Sequence, residues 1–145
     1  MSHQRFVCSS IAHHSDIYTN QFINHGLQCM SEILTAESIG LDCLRRVGEL
    51  LRVLVQVSEP LRDTPISIPM IDPLVQETFL QVILRKFKLM QKNPMDEETC
   101  CKLREGLVLP RLIQFILSFQ CNWTQGAKEI SKELSGVIFD ILLVC

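Results

Sequence analysis

Residues 41–57, LDCLRRVGELLRVLVQV, contain the clearest periodic pattern in this sequence of 145 residues. Apolar residues recur there every three or four positions, at Leu41, Leu44, Val47, Leu51 and Leu54. Polar and charged residues occupy the opposite stripe, at Asp42, Arg45, Glu49, Arg52 and Gln56. This spacing predicts an amphipathic helix whose apolar face packs against a core.

The same spacing recurs on both sides of this stretch. Residues 16–35, 72–92 and 124–142 repeat the apolar period of three to four, and two shorter helical segments flank Gly106 and Pro110. Ser38, Asp72 and Thr124 are placed to cap three helices. Asp96, Glu97 and Glu98 put negative charge at the start of another helix, which suits its dipole. Strand-like alternation is not sustained anywhere, so the expected fold is all-α with five to seven helices.

The domain organisation follows from the same patterns. Residues 1–15 lack apolar periodicity and are expected to form a flexible N-terminal arm. Residues 16–145 are expected to form a single helical domain. A proline-rich internal loop is predicted over 59–73, because Pro60, Pro65, Pro69 and Pro73 remove backbone donors and fix φ.

The composition restricts the classes of partner and compartment. The net charge is −2, which argues against bulk binding to nucleic acid or to an anionic membrane. No apolar run is long enough to span a bilayer, and the start lacks the pattern of a signal peptide. The seven cysteines are odd in number and irregularly spaced, so we expect mostly buried free thiols and a cytoplasmic or nuclear location.

No constellation of residues indicates an enzyme. All four histidines fall within the first 25 residues, and no motif pairs one of them with a nucleophile. The adjacent Cys100 and Cys101 would diverge on a helix, so they do not have the spacing of paired zinc ligands. We therefore expect no catalytic residues, no metal and no cofactor.

Two stretches resemble the armadillo and HEAT type of helical repeat. Residues 106–117, GLVLPRLIQFIL, place a glycine before an apolar-Pro-x-Leu helix, and a second amphipathic helix follows. Residues 24–34, NHGLQCMSEIL, resemble a more diverged copy. The two glycines are separated by about two repeat lengths of this family. The resemblance implies a short α-solenoid, and a compact helical bundle satisfies the same periodicity.

Several exposed positions are candidates for contact with a partner. Arg85, Lys88 and Lys92 share one face of their predicted helix, and Arg45 and Arg52 form a second basic set. The functional interpretation is recognition of an acidic peptide, and the structural one is a solvated helix face. Trp123, at a turn between helices, either fills the junction or anchors a partner.

The resemblance implies a non-enzymatic adaptor or scaffold segment of a larger assembly that binds a partner peptide or helix. The alternative is a stand-alone helical bundle that sequesters an amphipathic helix, as apoptosis regulators do. Residues 44–51, LRRVGELL, resemble the death motif of pro-apoptotic helices, although a core helix produces the same pattern. The apolar stretch 136–145 predicts self-association, packing on a partner, or continuation of the chain.

Overall fold

The computed structural model describes residues 2–36, 41–62, 71–92 and 96–145. These residues form six α-helices, and a short 3₁₀ turn at Gln120–Asn122 precedes the last of them. The helices are α1 (Ser2–Thr35), α2 (Leu41–Arg62), α3 (Pro73–Lys92), α4 (Glu97–Glu105), α5 (Val108–Ser118) and α6 (Gln125–Val144). The described residues contain no strand, so the all-α prediction is confirmed.

Residues 2–15, which belong to the predicted N-terminal arm, are helical. Helix α1 begins at Ser2 and continues without a break to Thr35. Residues 2–25 contain no glycine or proline, so nothing in this stretch interrupts the backbone hydrogen bonds of the helix. Gly26 does not divide the helix either, and a Cβ at this position would lie 3.4 Å from Leu54 Cδ2. That distance is an ordinary van der Waals contact, so the packing of α1 on α2 does not require a glycine here.

The predicted proline-rich loop 59–73 is shorter than expected at its start. Helix α2 passes Pro60 and ends at Arg62, and α3 begins at Pro73. A proline in the last turn removes a single intrahelical hydrogen bond, which a helix of this length tolerates better than a proline at its centre. Residues 63–70 lie outside the described residues, as does the predicted helix cap Ser38.

The predicted caps Asp72 and Thr124 accept hydrogen bonds at helix starts, and so does Asp96, which was expected there only as a favourable negative charge. The Asp96 carboxylate accepts from the Thr99 amide at 2.8 Å, and this bond lowers the pKa of Asp96. Thr124 Oγ1 accepts from the Ala127 amide at 3.2 Å. Asp72 Oδ1 accepts from the Leu74 amide at 3.0 Å. These bonds satisfy amide groups that have no partner inside the helix.

The break between α4 and α5 occurs at Leu107. This residue has φ 51° and ψ 32°, in the left-handed region that side chains with a Cβ avoid. Gly106 is right-handed, at φ −79°. Its role is close packing, because a Cβ there would lie 3.2 Å from Arg45 Cγ and from Val108 Cγ2.

The most extensive contacts join pairs of helices that have two other helices between them in the chain. Helix α3 packs along α6, and α2 packs along α5. Helix α1 lies against both α2 and α3, while α4 lies against α2 and α5. The buried residues of all six helices form one hydrophobic core, whose largest fully buried side chains are Phe79, Phe87, Phe115 and Phe119.

Trp123 belongs to this core. Its side chain is only 6% exposed, and its indole N–H donates to the Ile116 carbonyl at 3.0 Å. Its ring packs against Phe115 and Phe119, with centroids 5.7 and 6.4 Å away. The structure therefore corrects the assignment of Trp123 as a partner contact. The side chain fills the junction before α6, because its polar group is satisfied inside the protein.

Two of the cysteines are paired. Cys100 of α4 and Cys145, which follows α6, form a disulfide with Cα atoms 5.2 Å apart. Cys29, Cys43 and Cys101 are half-buried and free, and Cys121 is exposed and free. The expectation of mostly buried free thiols is thus wrong for the cysteines whose side chains are described.

In the described part of the chain, no helix has the length and apolar character needed to cross a bilayer.

Candidate partner-binding groove

A groove lies between the end of α1 and the middle of α3. Its volume is about 430 Å³, which falls in the range of binding sites that enclose several side chains or a small ligand. The residues that line it are Leu34, Thr35, Ala36, Val82, Arg85, Lys86 and Leu89. One of the predicted partner-binding residues, Arg85, is therefore part of a concave surface.

Two side-chain hydroxyls on the α1 wall of the groove donate to carbonyls one turn earlier in the helix. Ser31 Oγ donates to the Leu27 carbonyl at 2.8 Å, and Thr35 Oγ1 donates to the Ser31 carbonyl at 2.6 Å. Leu34 is buried between these turns and forms part of the apolar floor. The α1 wall therefore contributes an apolar base and a hydroxyl group near the helix end.

The α3 wall comes from a single helical stripe. Val82, Arg85, Lys86 and Leu89 follow the spacing that places residues on one face of a helix. Val82 and Lys86 are half-buried, Arg85 is exposed, and Leu89 is 53% exposed. The groove therefore combines an apolar surface with two cations on the same wall.

The two cations of the groove have no ion pair among the described residues. Lys88 differs, because its ammonium group pairs with Glu133 and links α3 to α6. Arg52 also has a partner, the Glu49 carboxylate at 3.2 Å. Among the described residues, therefore, Lys88 and Arg52 are engaged in ion pairs and Arg85 and Lys86 are not.

The structure does not gather the other predicted basic residues into this groove. Lys92 is exposed in the last turn of α3, beyond the groove lining. Arg45 and Arg52 lie on α2, and Arg52 also donates to Gln56 Oε1 at 3.3 Å. The stem of Arg45 packs beside Gly106, as described above. The predicted basic residues therefore occupy two separate surfaces.

An ion pair between α2 and α5 was not predicted from the sequence. Arg111 Nη1 donates to the Glu49 carboxylate at 3.0 Å and to the Gly106 carbonyl at 3.1 Å. The bonds from Arg111 and then Arg52 lower the pKa of Glu49. The two partners are 62 positions apart, so local spacing contains no signal for their contact.

A second, smaller pocket lies beside α2. Its volume is about 140 Å³, and its lining residues are Met30, Ile33, Cys43, Arg46, Val47 and Leu50. Leu44, Val47 and Leu51, the apolar positions of the death-motif-like stretch, are all buried. In this structure the stretch is a core helix, and its apolar side is unavailable to an external groove.

Among the described residues, few reactive side chains lie close to one another. They include no cluster of three or more His, Cys, Asp or Glu side chains that could hold a metal ion. Cys101 Sγ donates to the Glu105 carboxylate at 3.3 Å, and this carboxylate raises the pKa of the thiol. A raised pKa favours the protonated, unreactive form of cysteine. His25 Nε2 lies 3.6 Å from Cys29 Sγ on the same helix.

No family model, curated protein or solved structure matches this chain. The groove between α1 and α3 is the strongest candidate site, because it combines a concave apolar surface with cations that have no described partner.

Proposed function

We propose that this chain is a non-enzymatic protein-interaction module that binds an acidic amphipathic helix or peptide. The observation that carries the proposal is the groove of about 430 Å³ between α1 and α3, which has an apolar floor beside Arg85 and Lys86. The module would act as an adaptor or scaffold segment within a cytoplasmic or nuclear assembly.

The chemistry of the groove defines the partner. Apolar side chains spaced three or four apart on a helix would contact Leu34, Val82 and Leu89. Acidic side chains at the edge of that apolar stripe would pair with the exposed guanidinium of Arg85, which can bind a carboxylate through two parallel hydrogen bonds. An acidic partner is favoured over a basic one, since Arg85 and Lys86 would repel cations.

The helix pairing supports the short solenoid that the repeat resemblance implies. Helix α2 packs along α5 and α3 packs along α6, so each contact joins helices three apart in the chain. Successive three-helix repeats of the armadillo type would stack in this order. The compact bundle is the alternative arrangement for the same helices.

A peptide-binding measurement tests the proposed function. The probe is a fluorescein-labelled helical peptide with leucine on one stripe and glutamate on the flanking stripes, and the readout is fluorescence anisotropy. We expect saturable binding that weakens as salt is added. Arg85→Glu should weaken binding by about tenfold or more, since it replaces an attraction with a repulsion.

Lys128→Glu is the matched control. This residue is exposed on α6 and does not line the groove, and the substitution makes the same change in charge. The control variant should bind the peptide like the unmodified chain. Equal binding by the Arg85→Glu variant and the unmodified chain, or no binding by the unmodified chain, would contradict the proposal.

The alternative function is sequestration of an amphipathic helix by a stand-alone bundle. The pocket beside α2 favours it, because its lining is mainly apolar and Ile33 at its edge is half exposed. Its volume of about 140 Å³ is below the usual range for a ligand site, so it would take one anchoring side chain. Loss of peptide binding in Ile33→Lys, with binding retained in Arg85→Glu, would favour this alternative.

A further inference from the structure

Helix α6 has a solvent-exposed face, and one residue on it, Glu133, pairs with Lys88 of α3. Its exposed positions repeat at helical spacing from Glu129 to Leu143, a distance of about 21 Å along the axis. They are Glu129, Lys132, Glu133, Gly136, Phe139, Asp140 and Leu143. We call this set the outer face of α6. Phe139 is 59% exposed and Leu143 is 87% exposed, so large apolar side chains lie in solvent on this face.

Gly136 leaves a gap at the centre of the outer face. A Cβ built at this position would meet nothing within 4 Å. Glycine in the middle of a helix is unfavourable, and no contact within the described chain requires it here. A gap of this kind beside an exposed Phe139 permits close approach of another helix and leaves room for an aromatic side chain.

The charges on the outer face are placed symmetrically about this gap. Lys132 lies four residues before Gly136, and Asp140 lies four residues after it. Both side chains are exposed, and neither has an ion pair among the described residues. A helix related by a two-fold axis through Gly136 would therefore place Lys132 of each copy opposite Asp140 of the other.

We infer that the outer face of α6 binds a second copy of this chain, with the two α6 helices antiparallel and crossing at Gly136. Two reciprocal Lys132–Asp140 pairs flank the crossing point, and Phe139 of each copy enters the space beside Gly136 of the other. An interface of this type is isologous, so one patch supplies both of its halves.

The charge pattern selects the antiparallel arrangement. In a parallel pair with the same crossing point, Lys132 would meet Lys132 and Asp140 would meet Asp140. Like charges in direct opposition are unfavourable, so this arrangement is disfavoured. The outer face shares no residue with the groove between α1 and α3. A dimer and a bound peptide could therefore coexist, and each can be tested separately.

The first experiment measures mass by light scattering and sedimentation from about 1 µM to about 1 mM, the range of weak to moderate self-association. We expect the full chain to change from monomer to dimer with increasing concentration. Phe139→Glu should leave a monomer with unchanged helical content, since Phe139 is exposed and its replacement does not disturb the core.

The second experiment exchanges the charges. Lys132→Asp leaves two negative side chains at the paired positions, and Asp140→Lys leaves two positive ones. Each variant alone should dimerise at least about tenfold more weakly than the unmodified chain, since like charges then face each other. An equimolar mixture of the two variants should form heterodimers, detected by native mass spectrometry, because every pair across the interface is again of opposite charge.

Arg85→Glu is the control, since it reverses a charge outside the outer face and should leave dimerisation unchanged. Conversely, Lys132→Asp should leave peptide binding in the groove unchanged, so failure of one proposal is distinguishable from failure of the other. A chain that stays monomeric throughout the concentration range would overturn the inference. Dimers unaffected by either charge variant, or variants that fail to form heterodimers when mixed, would also overturn it.

Discussion

Gln76 joins two segments of the backbone through one buried amide. Its Nε2 donates to the carbonyls of Ile71 and Asn122, at 2.7 and 2.8 Å. Its Oε1 accepts from the Thr124 amide at 2.9 Å. The side chain is 2% exposed, so water cannot replace these partners. A single glutamine thereby connects the start of α3 to the turn that precedes α6.

At this scale we predict that Gln76→Leu destabilises the protein by roughly 2–4 kcal/mol, because it leaves buried backbone groups without partners. Chemical denaturation followed by circular dichroism measures the change. Gln81→Leu, at an exposed position of the same helix, is the matched control and should have a much smaller effect. Equal effects at the two positions would show that the buried hydrogen bonds contribute little.

At the scale of elements, Glu49 ties α2 to α5 through Arg111. The Arg111 side chain is largely buried, whereas Glu49 is half exposed. Hydrogen bonds from Arg111 and Arg52 stabilise the charged carboxylate, so its pKa is lower in the folded protein than in the unfolded chain. The stabilisation is present at neutral pH and is lost as the pH falls through the lowered pKa of the folded state.

We therefore predict that Glu49→Gln lowers Tm at pH 7, that the difference from the unmodified chain shrinks as the pH falls below about 4, the ordinary glutamate range, and that it is lost below the lowered pKa of the folded state. Thermal melts between pH 7 and pH 3 measure this difference in Tm. Glu32→Gln is the control, since Glu32 is exposed on α1 and has no ion pair among the described residues. A Tm difference for Glu49→Gln that is independent of pH would show that the charge of Glu49 does not stabilise the fold.

At the scale of the whole molecule, the Cys100–Cys145 pair attaches the last turn of α6 to α4. The two cysteines are 45 positions apart, so the bond closes a loop that contains α5 and α6. A cross-link of this kind stabilises mainly by restricting the unfolded chain. The pair would also hold the end of α6 in place beside Leu103 and Leu142, which line the same surface pocket as Cys145.

We predict that Cys145→Ser destabilises the oxidised protein by about 2–4 kcal/mol, the usual contribution of a disulfide. With a reductant present, the variant and the unmodified chain should have nearly the same stability. Cys121→Ser is the control, because Cys121 is exposed and free. If mass spectrometry of the oxidised chain shows both thiols free, the bond does not form and this prediction fails.

The candidate site could be predicted only in part. Arg85 was identified from the sequence because helical spacing places exposed cations on one stripe of α3. The neighbouring Lys86 was recognised as a groove residue only from the structure, in which it lines the same groove as Leu34 of α1. Lys88 has the same local pattern as Arg85, yet it pairs with Glu133, 45 positions away. Local spacing cannot distinguish a free cation from one that a distant helix neutralises.

The ends of the helices could likewise be predicted from the sequence only in part. Thr124 and Asp72 were recognised as caps because a cap acts on the amide groups of its own first turn. The sequence placed the break between α4 and α5 at Gly106 and Pro110, whereas the left-handed residue is Leu107. In the structure Gly106 packs closely against Arg45, and the neighbouring Leu107 adopts the left-handed conformation.

By itself, the sequence determined the helical class, the apolar face of α2 and the residues that cap α3 and α6. These features are local, because the period of a helix and the needs of its first turn act over a few residues. Only the tertiary structure decided that Trp123 is buried, that Lys88 is engaged and that Gly136 lies open on α6. Those outcomes depend on which helices pack together, and that choice involves contacts between residues far apart in the chain.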